Sequence, residues 1–341
     1  MPERKQVTRK EVAERAGVSV AVVSYVVNDG PRPVSTETRA KVEKVIEELG
    51  YYPNELARSL SRKQTATIGL ITPSLLNPVY AEIADSLERF CTAEGYMVML
   101  CGTGRDPNKE KKLAETLRAK QVDGVVIMPS QALQEILSPL QQAHIPTVVL
   151  EHDLADTHCI VIDDRQGGRL AMQHLLSLGH RRIGLIKRET YSPHGYWREV
   201  GCREMLEESD ISLDPALVIE SKAGQAAGYA AMQQLLALPN PPTAVFCHND
   251  VLAMGAIRAI FDAGLVVPAD ISVVGHDDTL SIAYLNPPLT TVKFPVMEMG
   301  RRAGQIILEL VQQPDSLPAQ TITLPVELVV RASTAPPPKH S

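Results

Sequence analysis

The sequence predicts an α/β protein, in which a small all-helical N-terminal head precedes a larger body of two doubly wound, parallel-sheet subdomains. Three observations predict this fold class. Helical segments with capping residues fill most of the first 50 residues. From Thr67 onward, short apolar runs alternate with helical patterns. Apolar residues make up 44% of the 341 residues, which is enough to bury a sizeable core.

Charge and cysteine usage differ from those of a secreted or membrane protein. Residues 1–65 carry a net charge of +3 and the remainder carries −9, so the head is the part suited to a polyanion, although a solvated helix face would give the same excess. The five cysteines are scattered, which indicates reduced thiols. No apolar run reaches the ~18–20 residues of a membrane helix, and the first residues lack the apolar segment of a secretory signal. We therefore expect a cytoplasmic protein.

Capping residues divide the head into three helices. Thr8 and Glu11 have capping-box spacing, Gly17 ends the first helix, and Ser19 caps a second helix over 20–28. The third helix has Ser35 as its cap and carries apolar residues at helical spacing: Val42, Val45, Ile46 and Leu49. Two capped helices joined by a glycine turn form a helix-turn-helix, whose second helix can enter a DNA major groove.

The second helix leaves an apolar face exposed. Val23, Val26 and Val27 fall at core spacing, so the outward positions are Val20, Ala21, Ser24, Tyr25 and Asn28. Such a face suits thymine methyl groups and phosphates, whereas a helical bundle that merely docks on the body is the alternative. We predict DNA contacts from Thr8, Ser19 and these five outward residues.

The body predicts two parallel sheets with helices on both faces. Nine apolar runs, from TIGLIT at 67–72 to ISVVGHDD at 271–278, are typical of buried strands. Helical patterns occupy 79–94, 108–120, 166–179, 196–208, 225–237 and 250–263. About ten strands are more than one such sheet usually holds, which favours two sheets. Ligands of open α/β sheets bind beyond the carboxyl ends of the strands.

Polar side chains stand at several of these strand ends. Glu151, Asn249 and Asp277 each follow an apolar run, and Arg198 opens a helix after the strand RIGLIK. Asn249 and Asp277 are also ordinary capping or turn residues, but together the four form a donor and acceptor set suited to sugar hydroxyls. Trp197, the one tryptophan, either stacks on a sugar face or occupies a rim or core position.

Motifs for catalysis and cofactor binding are absent from the sequence. The run CGTGRD lacks the third glycine of a dinucleotide-binding loop, and no phosphate-binding G-x-x-x-x-G-K-[ST] occurs. The histidines show no metal-binding spacing, and the adjacent acids of HDD point apart. We therefore predict no enzyme activity, no cofactor and no metal.

The motifs VAERAGVS, VVN, ETR-KV, ELGY-PN and TIGL resemble those of the lactose-repressor (lactose/galactose-repressor) family of transcription factors. The resemblance runs from about Val7 to about Ala332 and implies a body similar to periplasmic sugar-binding proteins. It implies a head over 1–53, a hinge helix and linker over 54–65, and a body over 66–335. The two subdomains would comprise roughly 66–163 plus 292–324 and 164–291 plus 325–335. The Pro-rich tail, 336–341, is expected to be disordered.

The resemblance also implies roles for the hinge. Asn54, Ala57 and Leu60 lie in the segment that folds when two subunits bind DNA, with Ala57 in the minor groove and Leu60 as a wedge between base steps. Burial of Leu60 against the body is the alternative. Residues 54–62 are too few for a stable isolated helix, so their folding needs a partner.

Matching the family position by position puts effector contacts in the cleft: Glu151, Arg198, Asn249 and Asp277 on one side, Asn77 and Tyr80 on the other, and Trp197 beside Arg198. Asp250 and Asp278 are better explained as structural. Ala223 and His276 stand where the family often has an aromatic, which weakens any prediction of a specific sugar. His276 in addition predicts pH-sensitive effector binding.

These observations predict a dimeric repressor of sugar-utilisation genes. It would bind a pseudo-palindromic operator DNA and be released by a small sugar; corepression by a nucleobase-like ligand is the alternative within this class. The tail lacks the apolar heptads of a tetramer-forming helix, so a homodimer is expected. A periplasmic sugar-binding protein is disfavoured by the head and the missing signal. An enzyme is disfavoured by the missing catalytic groups.

Overall fold

A computed structural model describes residues 7–28, 32–52, 64–128, 133–188, 193–313 and 318–339. The chain divides into two compact units, Met1–Thr65 and Ala66–Ser341. The predicted hinge residues Asn54, Ala57 and Leu60 lie outside the described residues.

The head consists of three helices: α1 (Arg9–Ala16), α2 (Val20–Asn28) and α3 (Thr36–Leu49). The predicted caps are confirmed, since Thr8 forms a capping box with Glu11 and Gly17 ends α1 in the left-handed conformation at φ +63°. Ser35 caps α3 by accepting from the backbone N–H of Thr38. The core is small and aliphatic, with Val12, Ala13, Ala16, Val23, Val26, Val42, Val45 and Tyr51 buried.

The body contains twelve described strands. They are β1 (Thr67–Thr72), β2 (Met97–Gly102), β3 (Gly124–Ile127), β4 (Thr147–Leu150), β5 (His158–Ile162), β6 (Ile183–Arg188), β7 (Val218–Ser221), β8 (Ala244–Cys247), β9 (Ser272–Asp277), β10 (Thr290–Lys293), β11 (Thr321–Leu324) and β12 (Glu327–Val329). The first sheet has the order β11-β5-β4-β3-β1-β2 and the second β12-β10-β9-β8-β6-β7. Strand pairs are parallel except β10 with β12, which is antiparallel. The two parallel sheets that the apolar runs predict are confirmed.

Eight α-helices of the described residues cover the sheets: α4 (Pro78–Ala93), α5 (Pro107–Ala119), α6 (Leu133–Gln142), α7 (Asp164–Ser177), α8 (Pro193–Glu207), α9 (Gln225–Leu236), α10 (Asp250–Asp262) and α11 (Val296–Gln312). The helices α6 and α11 and the strands β10–β12 fall outside the segments predicted from the sequence. Within the described ranges, no helix combines the length and the apolar character needed to span a membrane.

The chain passes between the two halves of the body three times, because β11 returns to the first sheet and β12 to the second. Helix α11 belongs to the first half, where Met299, Ala303 and Ile307 pack with Ile68 and Leu87. After β12 the chain runs along the second half, and the carbonyl of Ala335 accepts from His180 Nε2 at 2.8 Å. The predicted disordered tail begins just beyond this contact. The carbons of Pro337 still lie within 4 Å of a Cβ placed on Gly179.

Helices α7 and α8 cross so closely that only glycine fits at the contact. A Cβ on Gly168 would lie 2.1 Å from the carbonyl oxygen of Arg198, and one on Gly201 would lie 1.9 Å from that of Arg165. Salt bridges flank the crossing, with Arg165 2.6 Å from Glu204. This close approach fixes the start of α8 against the start of α7.

We predict that Gly168→Ala destabilises the body. Alanine raises helix propensity by about 1 kcal/mol relative to glycine, but the added methyl group must push two backbones apart, which costs about 1–3 kcal/mol or more. Urea denaturation should therefore show a lower midpoint than for the wild type. Gln173→Ala, at an exposed position of the same helix, is the control and should leave the midpoint nearly unchanged. An unchanged midpoint for Gly168→Ala would contradict the close crossing.

Candidate functional site

The candidate site is a cavity at the carboxyl ends of the strands, between the two halves of the body. The empty space among its lining residues is about 360 Å³, a figure that includes open solvent at its mouth. The first half contributes the start of α4 and the residue after β4. The second half contributes the end of β6, the start of α8 and the residues at the ends of β8 and β9. The lining residues are Asn77, Val79, Tyr80, Glu151, Arg188, His194, Gly195, Arg198, His248, Asn249 and Asp277.

Six of the seven predicted effector residues therefore meet in one cavity. Glu151, expected on the wall opposite Asn77 and Tyr80, lies on their side instead, because it follows β4 of the first sheet. Trp197 does not join these six. Its side chain is 47% exposed and packs edge-on against Tyr196 with ring centroids 5.1 Å apart. Trp197 lies on the face of α8 that points away from the cavity, since the adjacent Arg198 points inward. This placement favours the rim position rather than stacking on a ligand.

A buried ion cluster forms part of the cavity wall, and His194 is at its centre. The ring Nδ1 of His194 contacts the carboxylate of Asp164, and Nε2 lies 3.2 Å from Glu151 Oε2. Asp164 is the first residue of α7, whereas Glu151 follows β4 of the first sheet. His194 therefore joins a carboxylate of each half.

The two carboxylates keep His194 charged. Burial alone would favour the neutral ring, but Asp164 and Glu151 outweigh it and raise the pKa of His194 to about 10. Burial likewise opposes ionisation of both acids, and the positive His194 reverses this by lowering the pKa of Asp164 and that of Glu151. At neutral pH the three groups carry one positive and two negative charges.

Arg198 supplies the second positive charge of the cluster. Its Nε donates to Asp164 Oδ1 at 2.7 Å, its Nη1 donates to the carbonyl of His248, and Nη1 lies 3.9 Å from Asp277 Oδ1. Burial raises the pKa of Asp277 to about 7, with Arg198 opposing and Glu151 adding to the rise. Asp277 therefore exchanges a proton near neutral pH, so it can accept a hydrogen bond as a carboxylate or donate one as an acid.

Asn77 and Asn249 line the cavity and also cap the helices that begin there. The side-chain oxygen of Asn77 accepts from Val79 N at 3.3 Å, and that of Asn249 accepts from Leu252 N at 2.8 Å. Each amide group keeps its two N–H donors for other partners. The capping role and the predicted binding role are therefore compatible at both positions.

Asp250 and Asp278 are structural, as predicted. Asp250 accepts from Thr279 N at 2.9 Å and from Thr291 Oγ1 at 2.7 Å, which ties the start of α10 to β10. Asp278 accepts from Arg331 Nη2 at 2.6 Å. Neither side chain lines the cavity.

His276 was expected to make effector binding pH-sensitive, and its surroundings do not favour this role. Burial, reinforced by the charge of Arg198, lowers the pKa of His276 well below its ordinary value, so the ring favours the neutral form. His276 also lies beneath the cavity rather than in its wall. In the cavity wall, burial raises the pKa of the Asp277 carboxyl to about 7.

Five lining residues were missed from the sequence, and three of them have ionisable side chains: Arg188, His194 and His248; the other two are Val79 and Gly195. His194 precedes Arg198 by one helical turn, a spacing that puts both on one face of α8 and was visible in the sequence. Arg188 extends the strand RIGLIK by one residue, and burial lowers the pKa of its guanidinium. The described side chains include no group of three or more His, Cys, Asp or Glu residues arranged to hold a metal ion.

In the head, the predicted DNA-contacting face divides into two sets. Thr8, Ser19, Val20 and Ala21 are exposed, whereas Ser24, Tyr25 and Asn28 are half-buried. Ser19 accepts from Val22 N at 3.3 Å, and Asn28 donates to Ser24 Oγ at 3.2 Å. The N-terminal turn of α2 therefore presents small apolar side chains to the outside.

Comparisons with known proteins were made for the head and for the body. Residues 8–54 match the model of the lacI family of bacterial regulatory proteins, and residues 172–334 match the periplasmic binding protein-like domain. The HTH-type transcriptional repressor PurR of Haemophilus influenzae (strain PittEE) is 38% identical over 331 residues, which cover 96% of this chain and 98% of PurR.

Two solved structures extend the comparison. A Lac repressor dimer bound to operator and the anti-inducer ONPF has a TM-score of 0.87 at 33% identity and covers 97% of this chain and 100% of its own. A complex of the transcriptional regulator CelR with cellobiose has a TM-score of 0.73 at 30% identity and covers 96% of this chain and 100% of its own.

We predict that His194→Asn destabilises the protein more at pH 6 than at pH 10. A histidine whose pKa is raised on folding contributes stability that is complete below its unfolded pKa and is lost as pH rises through about 10. Breaking a buried ion pair costs about 3–5 kcal/mol, so the difference near pH 6 should be of that order. Urea denaturation at several pH values measures it, with the exposed His144→Asn as control. A pH-independent difference would contradict a charged His194.

Proposed function

Because this chain belongs to the lacI family of bacterial regulatory proteins, we propose that it is a transcriptional repressor whose affinity for operator DNA is set by a small polar molecule bound in the cavity of the body. The chain is a DNA-binding transcription regulator and not an enzyme. The observation that supports ligand control is the cavity, because its walls come from both halves of the body.

The N-terminal turn of α2 is proposed to enter the major groove. Val20 is 45% exposed and Ala21 is exposed beside it, while Val23 and Val26 of the same helix fill the core. Methyl groups at these outward positions suit thymine methyl groups, and the cap Ser19 stands where a phosphate would meet the start of a helix. The proposed hinge contacts of Asn54, Ala57 and Leu60 complete the interface in the minor groove.

A homodimer is proposed as the DNA-binding unit. Strand β2 is an edge of the first sheet, and the exposed fractions of Met97 and Leu100 on it are 59% and 48%. An edge strand with exposed apolar side chains is a typical surface for pairing with a second copy. Two heads related by two-fold symmetry would read a pseudo-palindromic site.

A sugar is the effector that the cavity supports best. Its walls mix hydrogen-bond donors, such as Arg198 and the Asn249 amide, with acceptors, such as Glu151 and Asp277. A hydroxyl group both donates and accepts, so it can satisfy either kind of wall residue. The similar CelR structure holds cellobiose. A nucleobase-like corepressor is the second candidate, which the overall similarity to the PurR repressors supports.

Selection from a random-sequence DNA pool with the full-length protein tests this function. We expect a palindrome to be enriched, and its affinity to change when a sugar is added. Release by sugars would support induction. Tighter binding with a nucleobase and no response to sugars would support the second candidate. If no sequence were enriched, the regulator proposal itself would fail.

Ala21→Glu shows whether the N-terminal turn of α2 carries this recognition. A carboxylate there would replace a methyl contact and face the phosphates, so we expect the affinity for the selected operator to fall at least about tenfold. Ala40→Glu is the matched control, because Ala40 is also an exposed helical alanine, in α3. Equal affinities of the two variants would place DNA recognition elsewhere in the head.

A further inference from the structure

Arg188 is a cavity residue whose charge is poorly compensated. It ends β6 at the cavity wall, which it shares with Tyr80 of the first half. Among the described residues, no carboxylate forms a salt bridge with Arg188 within 4.0 Å. The positive charge of Arg105 also acts on Arg188, which adds repulsion. Burial and this repulsion lower the pKa of Arg188 despite the favourable effects of Tyr80 and Glu151.

Arg198, in the same cavity, has the carboxylate partners that Arg188 lacks. It lies 2.7 Å from one carboxylate, that of Asp164, and 3.9 Å from a second, that of Asp277. Although burial opposes its charge, these carboxylates raise the pKa of Arg198. Both arginines belong to the second half of the body. Arg198 has two carboxylates within 4.0 Å, whereas Arg188 has none among the described residues.

The nearest acid does not supply the missing counterion. The negative charge of Glu151 favours the charged form of Arg188, but the Glu151 carboxylate lies 3.2 Å from the charged ring of His194. Asp164 is shared between His194 and Arg198, and Asp277 is only partly ionised near pH 7. A buried charge without a close partner is costly, so a binding site that retains one is suited to a ligand that brings the opposite charge.

We propose that the effector carries an anionic group, a carboxylate or a phosphate, which binds Arg188 while its hydroxyl groups meet Asn249 and Asp277. This inference rests on the proposed function, in which a small molecule in this cavity sets operator affinity. A guanidinium can hold either anion through two parallel N–H donors. Tyr80 reinforces the site, because burial, with Glu151, raises its pKa and keeps the hydroxyl as a donor. The ligand class is therefore an acidic sugar.

Titration calorimetry of the full-length protein with matched pairs of sugars tests the proposal. The pairs are galactose with galacturonate, glucose with glucuronate, and glucose with glucose 6-phosphate. We expect at least one acidic member to bind and its neutral counterpart to bind at least about tenfold more weakly. Binding of a uronate identifies a carboxylate site, and binding of the phosphate alone identifies a phosphate site.

Arg188→Met removes the charge at similar length and should weaken the acidic ligand about 10- to 100-fold, while Arg188→Lys should restore part of the affinity. Lys222→Met, an exposed cation that does not line the cavity, is the matched control and should bind like the wild type. Urea denaturation of each variant confirms that the body is folded.

Three results would overturn the proposal: binding of neutral sugars alone, binding of an acidic sugar that Arg188→Met does not weaken, or no binding of any acidic compound in the panel. Each of these leaves the repressor function intact as long as the DNA pool yields an operator. Failure to enrich any operator would instead count against the proposed function, whatever the calorimetry shows.

Discussion

The structure of the body depends on the pairing of charges that are buried where its two halves meet. Asp164 accepts hydrogen bonds from both His194 and Arg198, so a single carboxylate holds two cations at the start of α8. Each of these ions would be strongly destabilising alone in the interior. The glycine crossing at Gly168 and Gly201 is what allows α7 and α8 to come close enough for the pairing.

One ion pair joins this cluster to the first half, where Glu151 after β4 lies 3.2 Å from His194. Arg188 of the second half and Tyr80 of the first half line the same cavity. Under the proposed function, a ligand bound there would contact both halves. A ligand changes the balance between two arrangements of the halves only by its differential affinity for them, for which a coupling of about 1–3 kcal/mol is typical. The cavity proposed to bind the effector is therefore also the place where the two halves meet.

Local signals predicted much of the molecule, and long-range contacts account for what was missed. The caps Thr8, Gly17 and Ser35 define the head because each acts on residues within one turn. Helix α11 was missed although Val296, Met299, Ala303 and Ile307 lie at helical spacing. Strands β11 and β12 are too short to show any periodicity. Glu151 and Asn249 were found because they follow apolar strands.

Position relative to Arg198 in the sequence was a poor guide to the roles of Trp197 and His194 on α8. Trp197 was chosen because it stands beside Arg198, but adjacent helical residues point in different directions. His194 was passed over because its function arises only when Asp164 and Glu151, from two other segments, converge on its ring. The sequence places His194 on the same face of α8 as Arg198, but the meeting with Asp164 and Glu151 is a property of the packed fold.

Operator affinity in a cleft variant tests the central claim most directly, because it needs no knowledge of the effector. We would measure binding of the selected operator by the wild type, by Glu151→Gln, and by Glu327→Gln, whose exposed carboxylate lies 3.7 Å from Lys293 within the second sheet. Loss of the link between the halves should change the dissociation constant of Glu151→Gln at least about fivefold, and Glu327→Gln should match the wild type. Identical affinities of all three folded proteins would contradict control of DNA binding by the cleft.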